Sequence, residues 1–297
     1  MARAANPAKK KMDLLTAAVV VVVVLAAALL PAFSASRTVL KPGWDLFSPE
    51  QDIEIGRRLA AKVPTQMPML ENRRVDDYVN ALGQRLAAHA PGYKFPYQYR
   101  VVNSPAVNAF ALPGGFIYVD RGAIEAVSTE SELAGILAHE TAHVALRHGT
   151  SQATKAYAAE IPAALLSAWL GSNSSLGSSV VQLSTGFVLN SAFLKYSRED
   201  ETQADILGTQ ILYDSGYDPR ALARFFEAME ARNKSQPIEF FSDHPSPANR
   251  VERIMEEVEK LGGPEPGYKE DSRKFHEIQD YLRRLPPPPK DQKPQVQ

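Results

Sequence analysis

The chain has 297 residues, a formal net charge of -1 and no cysteine. Such a balance offers no basic excess for nucleic acid, and the missing thiols exclude disulfides, thiolate metal ligands and a lipidated cysteine anchor. The assigned domain, 44–285, has roughly 240 residues, enough to bury the core of one domain of ordinary upper size.

Arg3, Lys9, Lys10 and Lys11 precede an apolar run from Leu14 to Phe33. As a helix the run is about 30 Å long, the thickness of a bilayer core, and its basic flank is expected to stay cytoplasmic. Ser34-Ala35-Ser36 offers small residues for cleavage, but the run is longer than a signal peptide needs, so an uncleaved anchor is expected. Residues 1–36 are thus assigned to an anchor or signal segment, 44–285 to one folded domain and 286–297 to a Pro-rich flexible tail.

Ser48-Pro49-Glu50-Gln51 starts a helix with a capping box, and Val75, Val79, Leu82 and Leu86 give a second helix its apolar face. Tyr97–Val102 and Phe116–Val119 read as strands, with Pro113-Gly114-Gly115 as a turn. Thr129 and Glu132 then open a helix expected over 129–148, with Leu133, Ile136, Leu137, Val144 and Ala145 as its apolar stripe. Gly135 inside it costs about 1 kcal/mol against Ala, which points to close packing beneath that face.

This helix carries His139-Glu140-Thr141-Ala142-His143. Two histidines at i and i+4 share one face and can converge on a zinc ion, with Glu140 poised over a water on that ion. In a chain with 6 histidines a chance HExxH is expected only roughly 0.008 times. A catalytic zinc needs a third protein ligand. The extended HExxHxxGxxH pattern is absent, because Leu146 and Gly149 stand at its Gly and third His positions. His148, about 140° around the helix from His143, is expected to point away from the metal and face the helix's C-terminal dipole, with Gly149 ending the helix.

Ser197–Asp205 offers a third ligand on a second helix: Glu201 and Asp205 share a face, so Glu201 could bind metal while Asp205 accepts a ligand histidine's free ring N–H. Glu199 and Asp200 are expected to face solvent, and on composition alone an ordinary capped helix start, with acids complementing the dipole, is the favoured account of this segment. Before it, the apolar segments Tyr157–Leu170 and Val180–Leu194 are too short to span a membrane; core packing, or a hairpin over a cleft or on a membrane surface, is expected. Helices are expected from Asp218 to about Arg232 and from Arg250 to Leu261. Phe275, Ile278, Leu282 and Leu285 mark an amphipathic C-terminal helix.

HExxH followed by SRxxExxAD (Ser197–Asp205), preceded by Asn108–Gly115 and followed by Asp243–Arg250, resembles the membrane-associated gluzincin zinc peptidases. These include the HtpX and CAAX prenyl endoprotease types; the chain is most like the catalytic module of the periplasmic β-barrel assembly-enhancing proteases, over about residues 46–262. The resemblance implies an α+β, mostly helical gluzincin fold with a short sheet beside the HExxH helix. It also implies one zinc per chain held by His139, His143 and Glu201, Glu140 as catalytic base and Asp205 as outer partner. The histidine matching His244 can approach and occlude the zinc, so His244 is expected to regulate the site or to stabilise a developing oxyanion; capping a helix near 247–261 is the plainer reading. Substrate is expected to add as a strand near Asn108, Gly114 and Gly115.

The implied function is an endopeptidase acting on unfolded or misassembled envelope proteins, periplasmic and either anchored by the N-terminal segment or freed by cleavage after about residue 36. A chaperone-like protein that binds unfolded outer-membrane proteins with little cleavage is the alternative. A single apolar run argues against prenylated-peptide processing. No repeat of about 34 residues follows the motifs, so the resemblance does not carry over recruitment through helical repeats.

Overall fold

A computed structural model describes residues 37–160, 196–234, 238–247, 249–263 and 266–289. Ser48 opens α1 (Pro49–Gln66): its hydroxyl accepts from the Gln51 backbone N–H at 3.3 Å while the Gln51 side chain accepts from the Ser48 N–H at 2.7 Å. That reciprocal pair satisfies two donors that a helix start leaves free. Asn72 caps α2 (Arg73–Ala87), whose Val75, Val79, Leu82 and Leu86 are all buried, as their spacing predicts.

Strands β1 (Gln98–Val102), β2 (Ala109–Leu112) and β3 (Phe116–Asp120) form one sheet in the order β1-β3-β2. β3 runs parallel to β1 and antiparallel to β2. β1 and β3 are the two expected strands, whereas β2 is an addition. Ala109, Ala111 and Leu112 carry little strand preference of their own, and pairing with β3 makes the strand. β2 is left at the edge of the sheet. A short helix, α3 (Arg121–Ala126), follows directly.

Helix α4 (Glu130–Ala145) is the structural axis, with every residue buried. Apolar on most sides rather than along one stripe, it can sit only inside the fold. Thr129 caps it by accepting from the Glu132 N–H at 3.3 Å, and the Glu132 carboxylate reaches back one residue further than a capping box requires, to the Ser128 N–H at 2.7 Å. The helix stops three residues short of the expected 148: Leu146 closes it, Arg147 turns left-handed at φ 59°, and His148 starts α5 (His148–Glu160).

Helix α6 (Arg198–Asp214) lies across α4, and α7 (Ala221–Asn233) packs against α4 as well. A Cβ on Gly208 would stand 3.2 Å from the His139 backbone, and one on Gly135 would stand 3.2 Å from Leu222 Cα. Close helix approach therefore accounts for both glycines and seats α6 directly on the histidine-bearing turn.

The one-turn helix α8 (Phe240–Asp243), α9 (Arg250–Lys260) and α10 (Arg273–Arg284) complete the fold. α9 begins at Arg250 rather than at the prolines, after Asn249 in a left-handed conformation. The Arg121 guanidinium donates to the carbonyls of Leu282 and Pro286, so the first residue assigned to the tail is tied to α3. The result is the expected mostly helical α+β fold with a short sheet. Among the described residues no helix is long and apolar enough to cross a membrane. The expected anchor at 14–33 and the apolar region from residue 161 to 195 lie outside the described residues.

Candidate active site and metal centre

Ser197 caps α6 with a true capping box: its hydroxyl accepts from the Asp200 N–H at 3.2 Å and the Asp200 carboxylate accepts from the Ser197 N–H at 2.9 Å. Asp200 is therefore buried, contrary to the expectation of a solvent-facing acid, while Glu199 is exposed. One helical turn is thus an ordinary capped start and, on its other face, the carrier of an inward-pointing pair, Glu201 and Asp205, both buried.

Glu201 meets the two histidines of α4. Nε2 of His139 and Nε2 of His143 stand 3.0 Å apart, and each lies 3.4 Å from a Glu201 oxygen. His139, His143, Glu201 and His244 each offer one donor atom within 4.8 Å of the others, and all four residues are buried. Behind this face, His139 Nδ1 is 3.1 Å from Asp205 Oδ1, close though poorly aligned for a hydrogen bond. Arg250 clamps both acids, donating to Glu201 Oε2 at 2.6 Å and to Asp205 Oδ2 at 2.7 Å, with its guanidinium 3.8 Å over the Phe226 ring.

Glu140 follows His139 on the same buried turn, and neither carboxylate oxygen has a hydrogen-bond partner. His244, at the end of α8, covers the open side of the cluster. Its Nδ1 donates to Glu201 Oε1 at 2.9 Å, and its Nε2 faces the Ala109 carbonyl at 3.3 Å and Glu140 Oε1 at 3.5 Å. The ring stacks on Phe240 and caps no helix start.

Burial and charge set the protonation pattern. Burial pushes the Glu140 carboxyl up and the His143 imidazole well down. Burial also opposes ionisation of Glu201, but His244, His139 and His143 around it win and hold it well below the ordinary carboxylate range. Against the same burial, the carboxylates of Glu201 and Glu140 raise His244. The arrangement is one ionised acid among imidazoles, with a second acid that makes no hydrogen bond beside it.

Residues 70–258, well over half the chain, match Peptidase family M48. The chain belongs to peptidase family M48. Among its M48 relatives, the β-barrel assembly-enhancing protease of Escherichia coli (strain K12) is 28% identical over 211 residues, covering 68% of this chain and 42% of the relative. Metalloprotease LoiP of the same organism is 30% identical over 195 residues, covering 64% and 71%. The mitochondrial metalloendopeptidase OMA1 of Schizosaccharomyces pombe is 31% identical over 182 residues, covering 60% and 52%. The chain thus spans less than half the length of the assembly-enhancing proteases that it matches.

In this M48 peptidase the cleft beside His143 is lined by Ala111, Leu112, Pro113, Gly114, Arg147 and Tyr196, among others. Gly114, one of the expected substrate contacts, is thus at the cleft, with φ 76° and its Cα side pressed on the α1 backbone at Ile53. Gly115 instead packs against Phe95 and Tyr97, and Asn108 is buried, its amide donating to Asp243 at 2.9 Å. Three residues of the site escape a reading of spacing alone. Arg250 closes the Asp243–Arg250 motif, and its position in that motif points to no role. Tyr196, just ahead of Ser197, stacks on His143 at 3.8 Å and donates its hydroxyl to the Ala111 carbonyl at 3.3 Å. His148 does not point away: its Nδ1 lies 2.9 Å from His143 Nδ1.

Proposed function

We propose that this chain is a zinc-dependent endopeptidase of the bacterial cell envelope that cleaves unfolded or misassembled envelope proteins. Residues 44–285 form its peptidase domain, residues 1–36 hold it to the membrane or direct its export, and 286–297 trail as a tail. The names of the M48 relatives support the setting. The observation that carries the chemistry is the convergence of His139, His143 and Glu201. Tetrahedral zinc with bonds of about 2.0–2.2 Å separates its ligand atoms by about 3.4 Å; here the two Nε2 atoms stand 3.0 Å apart, that of His139 3.4 Å from Glu201 Oε2 and that of His143 3.4 Å from Glu201 Oε1. The donor set of two imidazoles and an ionised carboxylate also suits zinc, so His139, His143 and Glu201 would hold one ion per chain, with Asp205 behind His139.

Zinc bound there would act as a Lewis acid, polarising a peptide carbonyl and making water acidic enough to deprotonate near neutral pH. Glu140 has both oxygens free to take that proton, and burial strengthens it as a base. It then passes the proton to the departing amine. The β2 edge would receive an extended substrate by strand addition. Its carbonyls at Ala109 and Ala111 are occupied by His244 and Tyr196, so a substrate strand takes the place of those side chains.

His244 acts as a cover over the site. His244→Ala is expected to raise kcat/KM on an unfolded casein-like substrate by about tenfold, the equivalent of releasing one or two hydrogen bonds of about 1 kcal/mol. A fall would assign His244 to transition-state stabilisation. The function itself is tested by incubating the protein with an unfolded membrane-barrel protein. Fragments support the peptidase; suppression of aggregation with no fragments, under zinc-replete conditions, supports a chaperone instead.

A further inference from the structure

The far side of His143 has a partner that the zinc-peptidase reading does not use. Continuing α4 as a helix would carry residue 148 away from His143. Instead Arg147 adopts φ 59°, and the turn brings the His148 ring back against the ring of His143, Nδ1 to Nδ1 at 2.9 Å. A left-handed conformation costs a non-glycine residue about 1–2 kcal/mol. Here it is held by Asp52, which accepts from the Arg147 guanidinium at 2.7 and 3.0 Å, and by the Phe47 carbonyl. Both histidines are buried, at 2% exposure each. The other nitrogen of His148, Nε2, lies 3.3 Å from Gln203 Oε1, on the helix that bears Glu201.

The donor count along this chain of groups has one solution. With Nε2 of His143 turned to the metal side, its proton must sit on Nδ1, and a buried N–H there needs an acceptor. The facing atom is Nδ1 of His148, which can accept only if the His148 proton sits on Nε2, where Gln203 Oε1 accepts it. We propose that His148 is a positioning residue for His143: it accepts the Nδ1–H and thereby fixes the tautomer and ring angle that leave Nε2 bare toward the zinc site. This role rests on the zinc reading above and deepens it.

The test compares wild type with His148→Phe, which keeps the ring and removes the acceptor, and His148→Asn, whose Oδ1 can stand where Nδ1 stood. Zinc affinity is measured by competition with a chromophoric chelator, and thermal melting of the zinc-free proteins reports the fold. The Phe variant is expected to bind zinc about 10- to 100-fold more weakly, the usual loss for an outer partner, with Asn recovering most of it and zinc-free melting unchanged. Ring-nitrogen NMR of the zinc-loaded wild type is expected to show His148 protonated at Nε2 and hydrogen-bonded at Nδ1. This measurement decides the question even if the Phe variant fails to fold. Equal zinc affinity in wild type and Phe variant, or a His148 proton on Nδ1, overturns the positioning role alone. A wild type that takes up no zinc overturns the zinc reading itself.

Discussion

Glu140→Gln is expected to keep the fold and the metal and to lose peptide hydrolysis by about 10²- to 10⁴-fold. The amide matches the carboxylate in shape but cannot accept a water proton at neutral pH. Glu140 makes no hydrogen bond in the buried site, so its replacement breaks none and costs only the ion-pair approach to His244 at 3.5 Å. Removing a buried acid that has no hydrogen bond also relieves a desolvation cost, and the melting temperature is expected to hold or rise. Initial rates of fragment formation measure the effect, and it should appear in kcat with little change in KM. A rate within tenfold of wild type would remove Glu140 from the role of base.

Glu201→Ala is expected to empty the metal site. Its carboxylate lies 3.4 Å from both His139 and His143 and takes hydrogen bonds from Arg250 and His244, so truncation removes a candidate donor and leaves its neighbours unmatched. Zinc affinity should fall by more than the about 100-fold limit expected for an outer partner, whereas Asp205→Ala should fall within about 10- to 100-fold. Elemental analysis after dialysis distinguishes them. Arg250 would keep only Asp205, and leaving a buried charge half-paired can cost about 3–5 kcal/mol. Melting of the zinc-free variant must therefore accompany the metal measurement. Full zinc content in folded Glu201→Ala protein would exclude Glu201 as a ligand.

The parts of this site that were legible in the sequence are those set by local periodicity. The i, i+4 spacing of His139 and His143, the like spacing of Glu201 and Asp205, and the caps at Ser48, Thr129 and Ser197 all follow from helical geometry and donor counts at helix starts. Strands β1 and β3 carried their own β-branched and aromatic residues. What stayed hidden depends on tertiary context. β2 exists because β3 pairs with it, since Ala109 and Ala111 have no strand preference to announce it. A regular helix continued through Arg147 would turn His148 away from His143, but there an arginine, not the glycine such a turn favours, takes the left-handed conformation. Asp52 and Phe47, a hundred residues away in sequence, hold that turn. Arg250 and Tyr196 reach the site from separate segments, and nothing in their local spacing points there.

The most direct test of the account follows peptide cleavage by the wild-type protein through removal and return of metal. Chelation is expected to abolish cleavage of an unfolded protein substrate, and restoring about one zinc per chain should recover it. Cleavage that survives complete removal of zinc, or a protein carrying one zinc per chain that cleaves nothing with or without His244, would contradict the assignment of this site as a zinc peptidase centre.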